Sequence, residues 1–421
     1  MSNQVRETAV ENRLVEAGIG ATEWQRGWQV VAGSMAGIGS GLYMFVTVFG
    51  FFVKPLSAEF GWTRAEIATS SLAIVAASVF MPVTGWLVDR GRIGTLLVCG
   101  AGAFALAYLS FSMMSGPLWQ YYAIVALIAL FGAPCTAPFV FARPVVRAFD
   151  KSRGLALGAI MCGVPLLALG GLPLLSRVIA THGWRSGFLC LLPLSIGFGA
   201  LSWWFMRRTE RARAEPSSCP ATVVQAGLTL REVLADARFW LLMLAMSGTS
   251  FSIGIYLSSL QPLLSDKGID ATTAGFLGAW QAVMVVVSRL IFGIVIDRFW
   301  APLVGAIGFA APCLGLLILY GTGPHALVLA LGIALIAAAD GAEASLMSYL
   351  TSHYFGSRAF GVVNGLLGGV GVIAVAAAGM LAGLCFDRHG NYDAILLAGM
   401  TLSPIAAFST LTSGFLRRKG R

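Results

Sequence analysis

Gln281-Ala-Val-Met-Val-Val-Val-Ser-Arg-Leu-Ile-Phe-Gly-Ile-Val-Ile-Asp-Arg298 is an apolar run with one cation, Arg289, inside it and Asp297 and Arg298 at its end. Its length and composition are those of a helix crossing a membrane. At ~1.5 Å of rise per residue, Arg289 lies about 12 Å inside the end marked by Asp297, near the middle of a hydrocarbon slab roughly 30 Å thick. A guanidinium at that depth costs on the order of 2.5–3.5 kcal/mol, so it must face protein or a wet cavity and meet an anion. Two anions fit. One is a carboxylate of the chain that fixes helix packing, and the other is the carboxylate of a bound cargo.

The rest of the chain agrees with a membrane reading. Of 421 residues, 57% are hydrophobic and 11% charged, with a mean hydropathy of +0.81, more apolar surface than a soluble domain of this size can hide. Apolar stretches predict helices over 28–53, 65–88, 93–115, 118–142, 154–177, 184–206, 239–263, 272–296, 301–321, 324–350, 360–386 and 392–416. The expected fold is an all-α membrane protein, twelve transmembrane helices in two pseudo-symmetric six-helix halves. A cytoplasmic tail (1–27) precedes the first half (28–206); a basic linker (207–238) joins it to the second half (239–416), and residues 417–421 form a basic tail. Residues 1–27 lack the apolar segment of a cleavable signal, so the first helix is expected to direct its own insertion.

The net charge of +9 follows the membrane. With both termini cytoplasmic, only Lys54, Arg64, Arg177, Arg185, Lys267 and Arg388 fall outside and only Arg289 within; the other Lys and Arg lie on the cytoplasmic side. This positive-inside distribution explains the charge without a nucleic-acid partner, and indicates an inner, plasma-type membrane whose lipid is the chain's main surroundings. Seven Cys are dispersed without a CxxC pair and four His are far apart, so neither a disulfide frame nor a metal site is expected. No phosphate-cradling loop, nucleophile elbow or cofactor motif is present, which argues against an enzyme and leaves a gradient to drive any transport.

The half-chain repeat is visible in Gly85-Trp-Leu-Val-Asp-Arg-Gly-Arg92 and, 208 residues on, Gly293-Ile-Val-Ile-Asp-Arg298. Gly85 and Gly293 permit close helix contact, and an Asp such as Asp89 or Asp297 can pair with a basic group or cap a helix N-terminus. With Arg90, Arg92 and Arg298 they are candidate gating residues. Glycines spaced four apart at 154/158 and 361/365 suit helices that rock against partners or simply pack tightly. Pro134 and Pro138 predict a break in the fourth helix beside a cavity.

Besides Arg289, two ionisable groups fall well inside these spans, Asp340 and Glu343. Three residues apart, they share one helix face. In a low dielectric their joint ionisation is disfavoured, which makes them a candidate proton-coupling pair; alternatively, one of them neutralises Arg289. If so, its protonation would release the guanidinium to grip a cargo carboxylate in bidentate fashion. No Lys lies in a span, so one fixed cation suggests one cargo carboxylate. Tyr43, Tyr256, Gln261, Gln281, Ser288 and Asn364 are the uncharged pocket candidates, Asn364 nearest the cytoplasmic end.

The repeated GxxxDR, the basic central linker and the helix count resemble the major facilitator superfamily. Phe49-Gly-Phe-Phe-Val-Lys-Pro-Leu56 with Phe60-Gly-Trp-Thr-Arg64, Asp150-Lys-Ser-Arg-Gly-Leu-Ala-Leu-Gly158, His182-Gly-Trp-Arg185 and Tyr354-Phe-Gly356 resemble its monocarboxylate-transporter-like branch, bacterial members included. The resemblance implies alternating access around helices 1, 4, 7 and 10, with Arg289 contacting a small organic acid. Animal members place an Asp one turn before this Arg, where the chain has Val285, and their first-helix Lys has no counterpart. Coupling therefore falls to Asp340 and Glu343, with protons and an organic acid as partners and with import, export and oligomeric state open.

Overall fold

The computed structural model describes residues 23–63, 66–67, 73, 75–76, 78–214, 227–323 and 325–416, the side chains of Leu169, 210–214, Ala271 and Ala344 excepted. Helices dominate, and an isolated bridge between Gly227 and Gly356 is the one β pairing among the described residues. Ten helical stretches are long and apolar enough to cross a membrane. One of them turns at Gly183, whose φ of 81° leaves the helix, and so supplies two spans. A shorter helix, Met81–Asp89, lies where the second of the twelve expected spans ends.

In chain order these are α1 (Glu23–Phe60), α2 (ending in Met81–Asp89), α3 (Ile93–Ser112), α4 (Leu118–Ala148), α5 (from Arg153 to residue 182), α6 (184–214), α7 (Ala237–Asp266), α8 (Ala271–Arg298), α9 (Ala301–Gly321), α10 (Ala326–Phe355), α11 (Phe360–His389) and α12 (Asp393–Phe415). Several ends differ from expectation. The first helix is already formed at Glu23, ahead of residue 28; Glu23 accepts backbone N–H bonds from Asp150, Lys151 and Ser152 at 3.2–3.3 Å while Trp24 packs on Phe149. In the linker, a short helix covers Leu230–Ala235, capped by Thr229 and Glu232, whose carboxyl the Thr229 backbone N–H and hydroxyl hold below the usual range. Residues 1–22 and 417–421 of the expected tails lie outside the described residues.

The breaks in α1 and α4 answer each other. In α4 a π turn (Ile128–Gly132) leads to an interruption at Thr136 before Pro138, while α1 is interrupted at Ser40 and Gly41. The Thr136 hydroxyl donates to the Gly132 carbonyl at 2.9 Å and accepts the Leu42 N–H at 3.2 Å. Backbone groups freed at membrane depth thus find partners inside the protein, as hydrocarbon requires.

Each half has its own core. In the first, the Phe188 ring stacks on Phe52 and Phe111 with centroids 3.8 and 4.6 Å apart; in the second, α7 packs against α10, α11 and α12. Among the described residues, contact between halves is carried chiefly by Ser78–Asp89, Pro138–Ala148 and Arg153–Met161 against α8, α10 and α11. Leu42–Phe60 and the helix beyond Gly163 pack chiefly within their own half. The halves therefore meet near the face bearing Arg90, Arg92 and Arg298, here the basic face.

Candidate functional site

Two corners close the basic face, built alike. At one, the Asp89 carboxylate accepts the Gly361 and Val362 N–H groups at 2.8 and 3.1 Å, capping α11, while Gly85 and Gly361 touch backbone to backbone. At the other, the Asp297 carboxylate accepts the Gly154 and Leu155 N–H groups at 2.6 and 2.9 Å, capping α5, and Gly293 meets Gly154. A Cβ on Gly293 would stand 2.8 Å from the Gly154 carbonyl oxygen, so only glycine allows this approach. A carboxylate at a helix N-terminus satisfies orphan donors and meets the positive end of the dipole.

The flanking arginines lie at the edge of these corners. Arg90 lies over the Trp86 ring at 3.7 Å, and Arg90, Arg92 and Arg298 are exposed in the state described. Arg143 joins the closure. It is 1% exposed, its Nε sits 3.7 Å from the Asp89 carboxylate, and its Nη atoms donate to the Val88 and Asp89 carbonyls. The expected end of the fourth helix at 142 hid it, because α4 runs on to Ala148 and so brings Arg143 inside the packed bundle. At the second corner Arg153 reaches across to the Ser352 hydroxyl at 3.4 Å.

Deeper in, α5 is interrupted at Cys162. Its Met161 carbonyl lacks the usual donor four residues on because that residue is Pro165, which has no N–H. Arg289 of α8 supplies the bond, Nη1 to the Met161 oxygen at 2.6 Å, across the junction between halves. Its Nη2 pairs with the Asp340 carboxylate of α10 at 3.1 Å, and its Nε is buried without a partner. The Arg289 side chain is 13% exposed and that of Asp340 28%, so the pair is shielded but reachable. Glu343 stands one turn from Asp340. Its Oε1 accepts the Ser250 hydroxyl of α7 at 2.8 Å, and its Oε2 is buried without a partner.

Around this cluster the uncharged candidates divide. Tyr43 of α1 is 47% exposed and within electrostatic reach of Arg289, Asp340 and Glu343. Tyr256 of α7 is 2% exposed, near Asp340, with an unpartnered hydroxyl. Ser288 is engaged in helix packing: it is buried, its hydroxyl donates to the Val285 and Ala337 carbonyls at 2.9 Å, and it packs on Gly341. Asn364 is also engaged in packing, with Ser348 and the Phe360 carbonyl. Gln281 lies about 12 Å outward along α8 and about 80° round it from Arg289, so it is away from the cluster.

The sequence match agrees with this architecture, since a model of the Major Facilitator Superfamily matches residues 35–379. The chain belongs to that superfamily. This superfamily member is accordingly a multi-pass membrane transporter and not an enzyme. It is 26% identical over 395 residues to "Monocarboxylate transporter 11" of Mus musculus, covering 88% of this chain and 83% of that one. To the "Gallate transporter" of Pseudomonas putida it is 26% identical over 346 residues, 73% of this chain and 75% of the other. The fold is similar to that of a bacterial homologue of the iron transporter ferroportin in an outward-facing state, with TM-score 0.72 at 13% identity over 93% of this chain and 100% of the other.

Proposed function

We propose that this superfamily member is a secondary active transporter that carries a monocarboxylate or similar small organic anion, together with a proton, by alternating access. The observation that carries the reading is Arg289, a cation at membrane depth bonded at once to a carboxylate of its own half and a backbone carbonyl of the other. A cargo carboxylate is the natural competitor for Asp340, because a guanidinium binds carboxylates through two parallel N–H donors. With the Nε edge of Arg289 unpartnered, part of that fork is already free. A proton on Asp340 or Glu343 would remove negative charge that competes with the cargo, so proton and anion would load together. The names of the relatives from mouse and Pseudomonas putida, a monocarboxylate and a gallate transporter, support an organic acid as cargo.

The two capped corners hold the basic face shut in the state described, so cargo would enter from the opposite face. The positive-inside bias makes the basic face cytoplasmic, in a bacterial inner membrane. Because Arg289 also holds the Met161 carbonyl, cargo that re-aims the guanidinium would loosen the α5–α8 corner. Uptake of labelled organic acids into proteoliposomes, with and without an inward proton gradient, tests the reading. The expected result is proton-stimulated uptake that Arg289→Ala abolishes and from which Asp340→Asn or Glu343→Gln removes the proton dependence. Normal uptake by Arg289→Ala would sink the carboxylate-anchor assignment.

A further inference from the structure

On the basic side of the first half, positive charge is left over once the closure is built. Among the described side chains there, the carboxylates are Glu23, Asp89 and Asp150, and each is engaged within the protein. Glu23 holds the N–H groups of residues 150–152, Asp89 caps α11, and Asp150 pairs with Arg153 at 3.0 Å. Arg92, Arg207 and Arg208 are exposed, and none of the three has an ion-pair partner among the described residues.

The arginines of α6 are held in place by aromatic rings. Arg207 lies over the Trp203 ring at 4.2 Å and Arg208 over the Trp204 ring at 4.1 Å, and Arg90 repeats the pattern on Trp86 of α2. In each pair the Arg follows the Trp by four residues, so it stands about 6 Å further along the helix toward the basic face. An indole at glycerol depth with a guanidinium one turn beyond it matches, in that order, the apolar edge and the phosphate of a lipid headgroup. Stacking also orients the flat guanidinium fork, so less freedom is lost when it binds phosphate. The second half has no Trp–Arg stack among its described residues; Arg238 lies over Tyr354, and its fork is taken by the Leu416 carbonyl.

The two stacks of α6 border its neighbours. A Cβ on Gly94, the second residue of α3, would stand 3.9 Å from the Trp203 indole nitrogen, so that ring edges the start of α3, which Arg92 precedes. On the other flank, Trp28 of α1 meets Phe205 with ring centroids 5.6 Å apart. This rim lies apart from the α2, α4 and α5 segments that carry the contact between halves.

We propose that an anionic phospholipid of the leaflet on the basic face binds at the α3–α6 rim, its phosphate held by Arg92 and the Trp203–Arg207 stack, with the Trp204–Arg208 stack on the flank toward α1. Charge complementarity selects the lipid. A zwitterionic headgroup would bring a second cation to a surface without a free carboxylate, whereas phosphatidylglycerol brings the anion alone. The site is independent of the cargo and of Arg289.

Native mass spectrometry of the purified full-length transporter tests the proposal with dioleoyl phosphatidylglycerol, dioleoyl phosphatidylcholine and soluble glycerol 3-phosphate as probes. Wild type should bind phosphatidylglycerol more than about tenfold more tightly than phosphatidylcholine. Arg207→Gln should lower that preference about fivefold, the scale of one basic residue at an anionic surface, and adding Arg208→Gln should abolish it. Trp203→Leu, which keeps every charge, should lower it severalfold, as should Arg92→Gln. Arg231→Gln, in the linker helix, should leave it unchanged. Equal binding of the two lipids by wild type, no loss in the α6 variants, or an equal loss in Arg231→Gln overturns the proposal. Full binding by the Trp203→Leu, Arg207→Lys double variant also overturns it, by reducing the rim to diffuse surface charge. Displacement of the lipid by glycerol 3-phosphate at comparable concentration would reassign the site to a soluble phosphate and sink the lipid assignment.

Discussion

The α2–α11 and α5–α8 corners are the same device twice, a glycine pair in backbone contact and an aspartate capping the opposite helix, yet they differ in what lies behind them. Behind Asp89 is Arg143, buried, bonded to the carbonyls of Val88 and Asp89 and ion-paired at 3.7 Å with the Asp89 carboxylate. Behind Gly293, one turn further along α8, is Arg289, whose backbone packs on Gly158 and whose side chain enters the site. One corner is anchored to the scaffold, and the other, on the function proposed above, is wired to the cargo. On that proposal, pseudo-symmetric halves close symmetrically and respond asymmetrically, because the α5–α8 closure contains a group, Arg289, that a ligand would pull.

The largest expected effect breaks the wired corner at its charge. Arg289→Ala should lower uptake at least about 100-fold, as loss of a charge-assisted bidentate anchor implies, and Arg289→Lys should recover little of it; initial rates in proteoliposomes read both. Next come the glycine contacts. Gly85→Val and Gly293→Val should each prevent closure of the basic face, increasing labelling of an engineered cysteine there, since the added side chain meets backbone that cannot yield. Labelling unchanged from wild type would show that closure does not depend on these contacts.

The anchored corner separates from the wired one in stability. Asp89→Asn leaves Arg143 buried without its counter-charge and should cost about 3 kcal/mol. Asp297→Asn, which loses mainly the charge at a helix N-terminus, should cost about 1 kcal/mol. Thermal unfolding in detergent ranks the pair, and equal losses would remove the distinction. A finer change is Pro165→Ala, which restores an N–H four residues after Met161. It should weaken the Arg289 bond across the halves and shift the balance toward the open basic face while leaving Asp340 in place, a severalfold increase in cysteine labelling. Ser288→Ala should be smallest, with uptake within about twofold of wild type, because that hydroxyl serves only helix packing.

Much of this was legible in the chain itself. Apolar runs, charge bias and the repeated GxxxDR determine twelve spans and two related halves, because hydrocarbon forces backbone hydrogen bonds into each span and leaves side chains to report the surroundings. The rarity of charge at depth singles out Arg289, Asp340 and Glu343 for the same reason. Arg143 was missed because a helix end drawn at residue 142 left it just outside, although an Arg in Phe-Val-Phe-Ala-Arg-Pro was a usable signal. Pro165, four residues after Met161, was another, since it announces a carbonyl in need of a donor.

Tertiary structure alone decided the pairings. That Asp340 and not Glu343 meets Arg289, that Ser288 turns into a helix contact, and that Asp89 and Asp297 cap helices of the opposite half all depend on which faces of separate helices meet. Periodicity assigns residues to a face but carries no information about the neighbour across it. In a membrane, where apolar side chains gain little by choosing one helix over another, small residues and buried polar groups make that choice, and they do so only in three dimensions.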